Sequence, residues 1–222
     1  MKLLIKFPTR GRREQFLRIL NILKEKIVLD TTKILVTIDS DDVLMNTPDM
    51  YAMFNRDGIL YTTGKSKSKV DACNRDLKTY YKDFDIILLM SDDMLPMMKG
   101  FDLFIVEYFD MFFSDTDGCL HFNDGYTQDR LQTMVIFGRK YYERFGYLYH
   151  PDYISLWCDN EQMEVAMKLG KYRYNENVLF KHEHYANNPN VKLDNRYRQT
   201  EQWYHVDLKT YQRRKEIGFG VE

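Results

Sequence analysis

Four short runs of this chain are predominantly apolar: Leu3–Phe7, Ile34–Ile38, Ile59–Thr62 and Ile86–Met90. Each has the length of a strand, and none alternates polar with apolar residues as a half-solvated strand does. Between them the spacing becomes helical. Phe16, Leu17, Leu20 and Leu23 fall on one face after a turn at Pro8–Arg13. Val70, Cys73 and Leu77 do the same after a polar loop at Gly64–Lys69. Strands that are apolar on both sides and alternate with helices predict an α/β domain, a mostly parallel sheet with helices on both faces. The second half reads differently. An aromatic helix is predicted at Phe101–Phe113 and shorter strands at Cys119–Phe122 and Met134–Phe137. A helix at Glu161–Leu169 stops at Gly170, a strand at Val178–Phe180 runs into "KHEHY", and a helix covers Arg196–Arg214. No linker-like stretch interrupts the chain, so one domain over 1–222 is expected. Within it 1–98 form the parallel half, 99–185 a smaller subregion and 186–222 a helical tail.

The strands end in polar residues. Pro8, Thr9 and Arg10 follow the first, Asp39 to Asp42 the second, and Ser91, Asp92 and Asp93 the fourth. Ligands of open α/β sheets bind beyond the carboxyl ends of the strands, so these three ends should meet in one crevice. Two adjacent carboxylates repel unless a cation neutralises them, and hard divalent ions such as Mg2+ or Mn2+ take oxygen ligands while leaving positions for phosphate. Capping of the next helix, or a solvated turn, accounts equally for a single acidic pair. Its recurrence after a second strand, with a basic loop between, favours a site. Asp159 and Glu161 stand two apart at a predicted helix start, where negative charge is also simply stabilising. His182 and His184, two apart on a strand, would point the same way.

Composition narrows the class. The 222 residues carry 32 Lys plus Arg against 33 Asp plus Glu, a net charge of −1 that gives no general reason to bind nucleic acid. The 17 Tyr and 14 Phe suit a large aromatic core. Cys73, Cys119 and Cys158 are widely spaced with no CxxC, as expected of reduced thiols in a cytoplasmic protein. No run approaches the ~20 apolar residues of a membrane span. "GKSKSK" lacks the glycine spacing of a phosphate-binding Walker loop.

Taken in order, "FPTRGR", "TIDSDD", "KVDACNRDL", "LLMSDDM", "DNEQMEVAMKLGKY" and "HEH" resemble the nucleotide-sugar-dependent glycosyltransferases of the GT-A fold, in their broad family-2-like group. The resemblance spans essentially the whole chain, with Ser-Asp-Asp standing where the DxD-type motif has Asp-x-Asp. It implies a nucleotide-binding half at 1–98 and an acceptor side at 99–185. Pro8, Thr9 and Arg10 would hold base and ribose. Asp39 would read the base with help from Asp41, and Lys69 and Asn74 would contact base or diphosphate. Ser91 opens the acidic motif, in which Asp92 would face ribose or sugar. Asp93, with His182 or His184, would bind Mn2+ or Mg2+. Asp159, or Glu161 in its place, would be the catalytic base. The implied partners are a nucleotide-sugar donor, UDP-sugar favoured, and a glycan or other hydroxyl acceptor. Two other readings compete: a nucleotidyltransferase, although "PTRGRR" lacks the usual glycine-rich loop, and a non-catalytic sugar or nucleotide binder.

Overall fold

The computed structural model describes residues 1–185, 191 and 193–221. In chain order the elements are β1 (Leu3–Thr9), α1 (Arg13–Lys26), β2 (Lys33–Asp39), α2 (Pro48–Arg56), β3 (Leu60–Gly64), α3 (Lys69–Asn74) and α4 (Leu77–Tyr80). Then come β4 (Ile86–Leu89), β5 (Met94–Pro96), α5 (Phe101–Phe113), β6 (Cys119–Phe122), β7 (Ile136–Gly138), α6 (Arg139–Phe145) and α7 (Cys158–Lys168). β8 (Tyr172–Asn175), β9 (Phe180–His182), α8 (Asn195–Glu201) and α9 (Tyr204–Glu216) complete the chain. Among the described residues seven strands form one sheet in the order β3-β2-β1-β4-β7-β6-β8, and β5 pairs with β9 in a separate two-stranded ribbon. β1 to β4 run parallel, and β7 runs antiparallel to both β4 and β6.

The parallel strands are apolar on both sides because both faces are covered. Leu3, Ile5 and Phe7 of β1 pack with Phe16, Ile19 and Leu20 of α1 and Phe101 and Ile105 of α5. Leu4, Leu35 and Ile87 face the other way, onto Val70 and Cys73 of α3, Tyr141 of α6 and Val165 of α7. One even position of β1 is not apolar: Lys6 is fully buried, its ammonium donating to the Thr37 hydroxyl and to the Arg75 carbonyl.

The strand lengths open the crevice. The β1–β4 ladder stops at Lys6↔Leu89, while β1 continues beside β2 to Thr9↔Ile38. Pro8 therefore falls where β4 no longer pairs, and its missing N–H removes no ladder bond there. The chain leaves β1 toward β2 on one side and returns at β4 on the other, the switch point where open α/β sheets bind ligands. The single predicted helix at Arg196–Arg214 is divided into α8 and α9. The tail expected at 186–222 lies partly outside the described residues, at 186–190, 192 and 222.

Candidate active site

The three strand ends surround the mouth of this crevice. At the end of β2, Asp39 is 7% exposed and accepts from the Ser66 amide (3.1 Å) and from Arg10 (2.8 Å). Arg10 also pairs with exposed Asp41, whose carboxyl it holds down at about 2. Gly11, at a φ of 69°, turns its N–H onto Asp42 at 2.7 Å. Pro8 and Thr9 form the β1 side of this mouth, and the buried Thr9 hydroxyl has no hydrogen-bond partner among the described residues.

Asp92 and Asp93 follow β4 and Met90. Asp92 is pushed up to about 6 by burial and by its neighbour Asp93, against the pull of Arg12 (3.0 Å). Asp93 moves the other way. Burial opposes its charge, but His182, the Ser91 hydroxyl and Lys69 outweigh that and hold the carboxyl far below the ordinary range. Ser91 donates to one Asp93 oxygen and the Tyr197 hydroxyl to the other, at 3.2 Å. Arg12 bridges Asp92 to Asp194 (2.8 Å) and lies over the Tyr197 ring, 4.2 Å from its centroid. A cavity of about 350 Å³ opens beside the pair, lined by Gln15, Arg18, Asp92, Asp93, Glu183 and Asp194 among others.

The β5–β9 ribbon brings the histidines here. Met94 pairs with His182, and the Glu183 amide donates to the Asp93 carbonyl at 2.7 Å. His182 Nε2 stands 3.6 Å from Asp93 Oδ2, and its Nδ1 stands 3.6 Å from Asp124 Oδ2. Burial opposes its charge, yet the two carboxylates raise it to about 9. His184 is lowered to about 4, by burial and then by the neighbouring His182. The strand ends at His182, and the two rings lie 5.3 Å apart with their planes 52° to one another.

Lys69 and Asp159 approach from the other side. Enclosure lowers Lys69, but Cys73, Asp93 and Asp159 raise it, with a net rise. Asp159, in the first turn of α7, is raised by burial and lowered by Lys69, and it also feels His182. Lys69 thus feels the charge of both Asp93 and Asp159.

Two expected site residues have their polar atoms engaged within the protein. Asn74 donates to the Tyr149 carbonyl (2.7 Å) and accepts from the Leu148 and Tyr149 amides (2.8 and 3.1 Å). Its amide clamps α3 to the 148–149 loop. Glu161 is 4% exposed, accepts two Arg214 nitrogens at 2.7 Å and the Tyr153 hydroxyl at 2.7 Å, and so serves the packing of α7 on α9. Arg12, Asp124, Asp194 and Tyr197 were missed by the sequence reading. Arg12 falls in the turn at Pro8–Arg13, and Asp124 falls in "NDG", which reads as a turn.

Among the described residues no three His, Cys, Asp or Glu side chains group to hold a metal ion by themselves. Asp93 and His182 still fit one. Their facing atoms are too far apart for a hydrogen bond, yet one ion with ligand distances of about 2.1 Å can span them. An ion that keeps its other positions for substrate phosphates needs only one or two such protein ligands.

No protein-family model and no curated protein sequence matches the chain. Solved structures do. A mannosyltransferase from Pyrobaculum calidifontis, PcManGT, in complex with GDP-Man and Mn2+, is 14% identical with a TM-score of 0.64 over 81% of this chain and 56% of that one. TarS 1–349 from S. aureus in complex with UDP-GlcNAc is 12% identical with a TM-score of 0.61 over 90% of this chain and 64% of that one. A CMP:2-keto-3-deoxy-manno-octonic acid synthetase complexed with CTP is 9% identical with a TM-score of 0.51, over 80% and 90%. The chain thus spans less than two thirds of either glycosyltransferase. At these identities the likeness is one of fold, the GT-A-type α/β fold, as expected. No helix is long and apolar enough to cross a membrane among the described residues.

Proposed function

We propose that this chain is a metal-dependent glycosyltransferase, moving a sugar from a nucleoside diphosphate donor, UDP-sugar favoured, to a hydroxyl of a glycan or similar acceptor. The observation that carries this reading is that Asp39 and the Asp92–Asp93 pair stand beyond the ends of β2 and β4, on either side of β1 at the sheet's switch point. Asp39 would accept the imide N–H of uracil, with Pro8, Thr9 and Arg10 along base and ribose and Asp41 steadying Arg10. Asp93 and His182 would hold Mn2+ or Mg2+, with His184 beside them. Bound there, the ion would neutralise charge building on the departing diphosphate. Lys69 adds a positive charge on the opposite wall, and Ser91 fixes the Asp93 carboxylate.

Asp159 is the proposed base. A carboxyl raised by burial accepts a proton more readily than a solvated one, and the Lys69 charge opposes that rise. The acceptor hydroxyl gives its proton to Asp159 while its oxygen attacks the anomeric carbon. The bond from that carbon to the diphosphate oxygen breaks, and the electron pair leaves with the diphosphate. Asp159→Asn is expected to keep donor affinity and lose transfer by about 100- to 10,000-fold. Transfer at a near wild-type rate, measured with the donor that gives the largest thermal shift in a nucleotide-sugar panel, refutes the assignment. The fold likeness to a CTP-bound synthetase keeps nucleotidyl transfer as the second reading. Pyrophosphate release from a nucleoside triphosphate and a free sugar would identify it.

A further inference from the structure

We infer that Asp124 is a positioning residue for His182, holding its ring so that Nε2 faces Asp93 as a metal ligand. The inference rests on the proposed metal site. His182 is suspended between two carboxylates at equal distances, 3.6 Å from Asp93 on the Nε2 side and 3.6 Å from Asp124 on the Nδ1 side. The two carboxylates are not equivalent. Asp93 lines the 350 Å³ cavity, whereas Asp124 does not, and its side chain is only 3% exposed. Asp124 is fixed from behind. One oxygen accepts from the Tyr126 and Thr127 amides at 2.9 and 2.7 Å, and the other accepts from the Thr133 hydroxyl at 2.9 Å. Its own carbonyl accepts the His182 amide at 2.9 Å. Asp124 thus grips His182 by backbone and side chain together, and all this scaffolding comes from the loop after β6, which takes no other part in the site.

A neutral imidazole can ligate through only one nitrogen, and the proton on the other must have somewhere to go. A carboxylate behind Nδ1 keeps the proton there and leaves the Nε2 lone pair free. Such outer carboxylates typically contribute about 10- to 100-fold to metal affinity. Nδ1 has no hydrogen-bond partner at its present distance. A shift of a few tenths of an ångström toward Asp124 would close that contact, as site hydrogen bonds do when a site fills. Asp93 cannot do the same job from its side, because it needs its own oxygens for the ion. Asp124→Asn is the informative change. Its amide oxygen can still accept the two backbone N–H groups, but its NH2 then faces Nδ1. That donor demands a lone pair on Nδ1 and sends the proton to Nε2, where it blocks ligation.

The test is Mn2+ affinity, read from the free-ion electron paramagnetic resonance signal with saturating UDP and, separately, GDP, on the full chain. His182→Ala should weaken Mn2+ binding, and Asp124→Asn should weaken it by about 10- to 100-fold with an unchanged melting curve in the absence of metal. In the His182→Ala background Asp124→Asn should have no further effect, a non-additivity that a general structural role would not produce. If Asp124→Asn does not fold, Thr133→Val, which frees the same carboxylate oxygen, should give a smaller loss that likewise vanishes without His182. Full Mn2+ affinity in Asp124→Asn, with His182→Ala impaired, overturns the inference and leaves the metal site standing. Full affinity in His182→Ala, or no Mn2+ binding by the wild type, overturns both.

Discussion

Asp207 should be a costly carboxylate to remove. It is fully buried on α9, and it accepts three consecutive backbone amides, Ile154 at 2.9 Å and Ser155 and Leu156 at 2.8 Å. Those residues lead directly into Trp157, held at a φ of 63°, and then into the α7 turn that carries Asp159. Asp207→Ala removes all three acceptors at once. Ser155 is buried, so its amide would be stranded at about 1–3 kcal/mol. Ile154 and Leu156 are half-buried, and water can replace part of what they lose, about 0.5–1.5 kcal/mol each. The expected loss is therefore about 2–6 kcal/mol, a large share of a typical domain's 5–15 kcal/mol. Urea unfolding followed by circular dichroism reads it as a lower midpoint at constant slope. Asp207→Asn, which keeps one oxygen, should recover part of the loss. Asp49→Ala, at an exposed pair with Arg13, should leave the midpoint where it is. A loss under about 1 kcal/mol for Asp207→Ala would mean that water satisfies the three amides and that the loop needs no anchor.

Lys6 should impose a pH slope on stability. Burial lowers it to about 8, against Asp76 and Cys73, which pull it back up. Between there and the ordinary 10.5 the unfolded chain holds a proton that the folded chain has released, so stability should rise with pH by up to about 3 kcal/mol. The free-energy difference between wild type and Lys6→Met, measured from pH 8 to 10, isolates that slope, and a flat difference refutes it. Asp39 should give preference to UDP over CDP, whose cytosine lacks the ring N–H, and Asp39→Asn should weaken UDP by about 10- to 100-fold, the worth of one charge-assisted hydrogen bond. Equal calorimetric affinities for UDP and CDP would remove that role.

The parallel half is legible because a strand buried on both faces is written as a mostly apolar run, and β1, β2 and β4 are such runs despite Lys6 and Thr37. What escaped the sequence reading depends on partners distant in the chain. Three-residue β5 contains a proline and directly follows the acidic pair, so it reads as loop, and it is a strand only because β9 pairs with it. β9 itself sits two residues later than its apolar run suggests. The helix through Val70, Cys73 and Leu77 is interrupted at Asp76, which takes a φ of 73° and accepts from the Thr37 and Thr62 hydroxyls of two strands. In the site, acidic residues at strand ends could be read directly, since their place follows from topology. The engagement of Glu161 could not, because its partner Arg214 is 53 positions away.

The tail beyond β9 looks polar and dispensable in sequence, yet it contacts both sides of the cleft. On the donor side Asp194 shares Arg12 with Asp92, and Tyr197 donates to Asp93. On the acceptor side Asp207 holds the loop before Asp159, and Arg214 neutralises Glu161 on the same helix as Asp159. The apolar contribution is smaller, chiefly Tyr197, Tyr211 and Phe219. Attachment through buried charge differs from attachment through apolar area. An apolar contact weakens in proportion to what is trimmed, whereas a buried pair that loses one member leaves the other charge desolvated and unpaired. Changes in α8 and α9 should therefore be felt at Asp92 and at the Asp159 helix rather than locally. Arg12 links the ends of β1 and β4 to the tail, so the charge balance at the acidic pair depends on where α8 sits. A nucleotide diphosphate entering beside Asp92 and Asp93 would compete with Asp194 for Arg12, and α8 would have to yield that contact for the arginine to serve the donor.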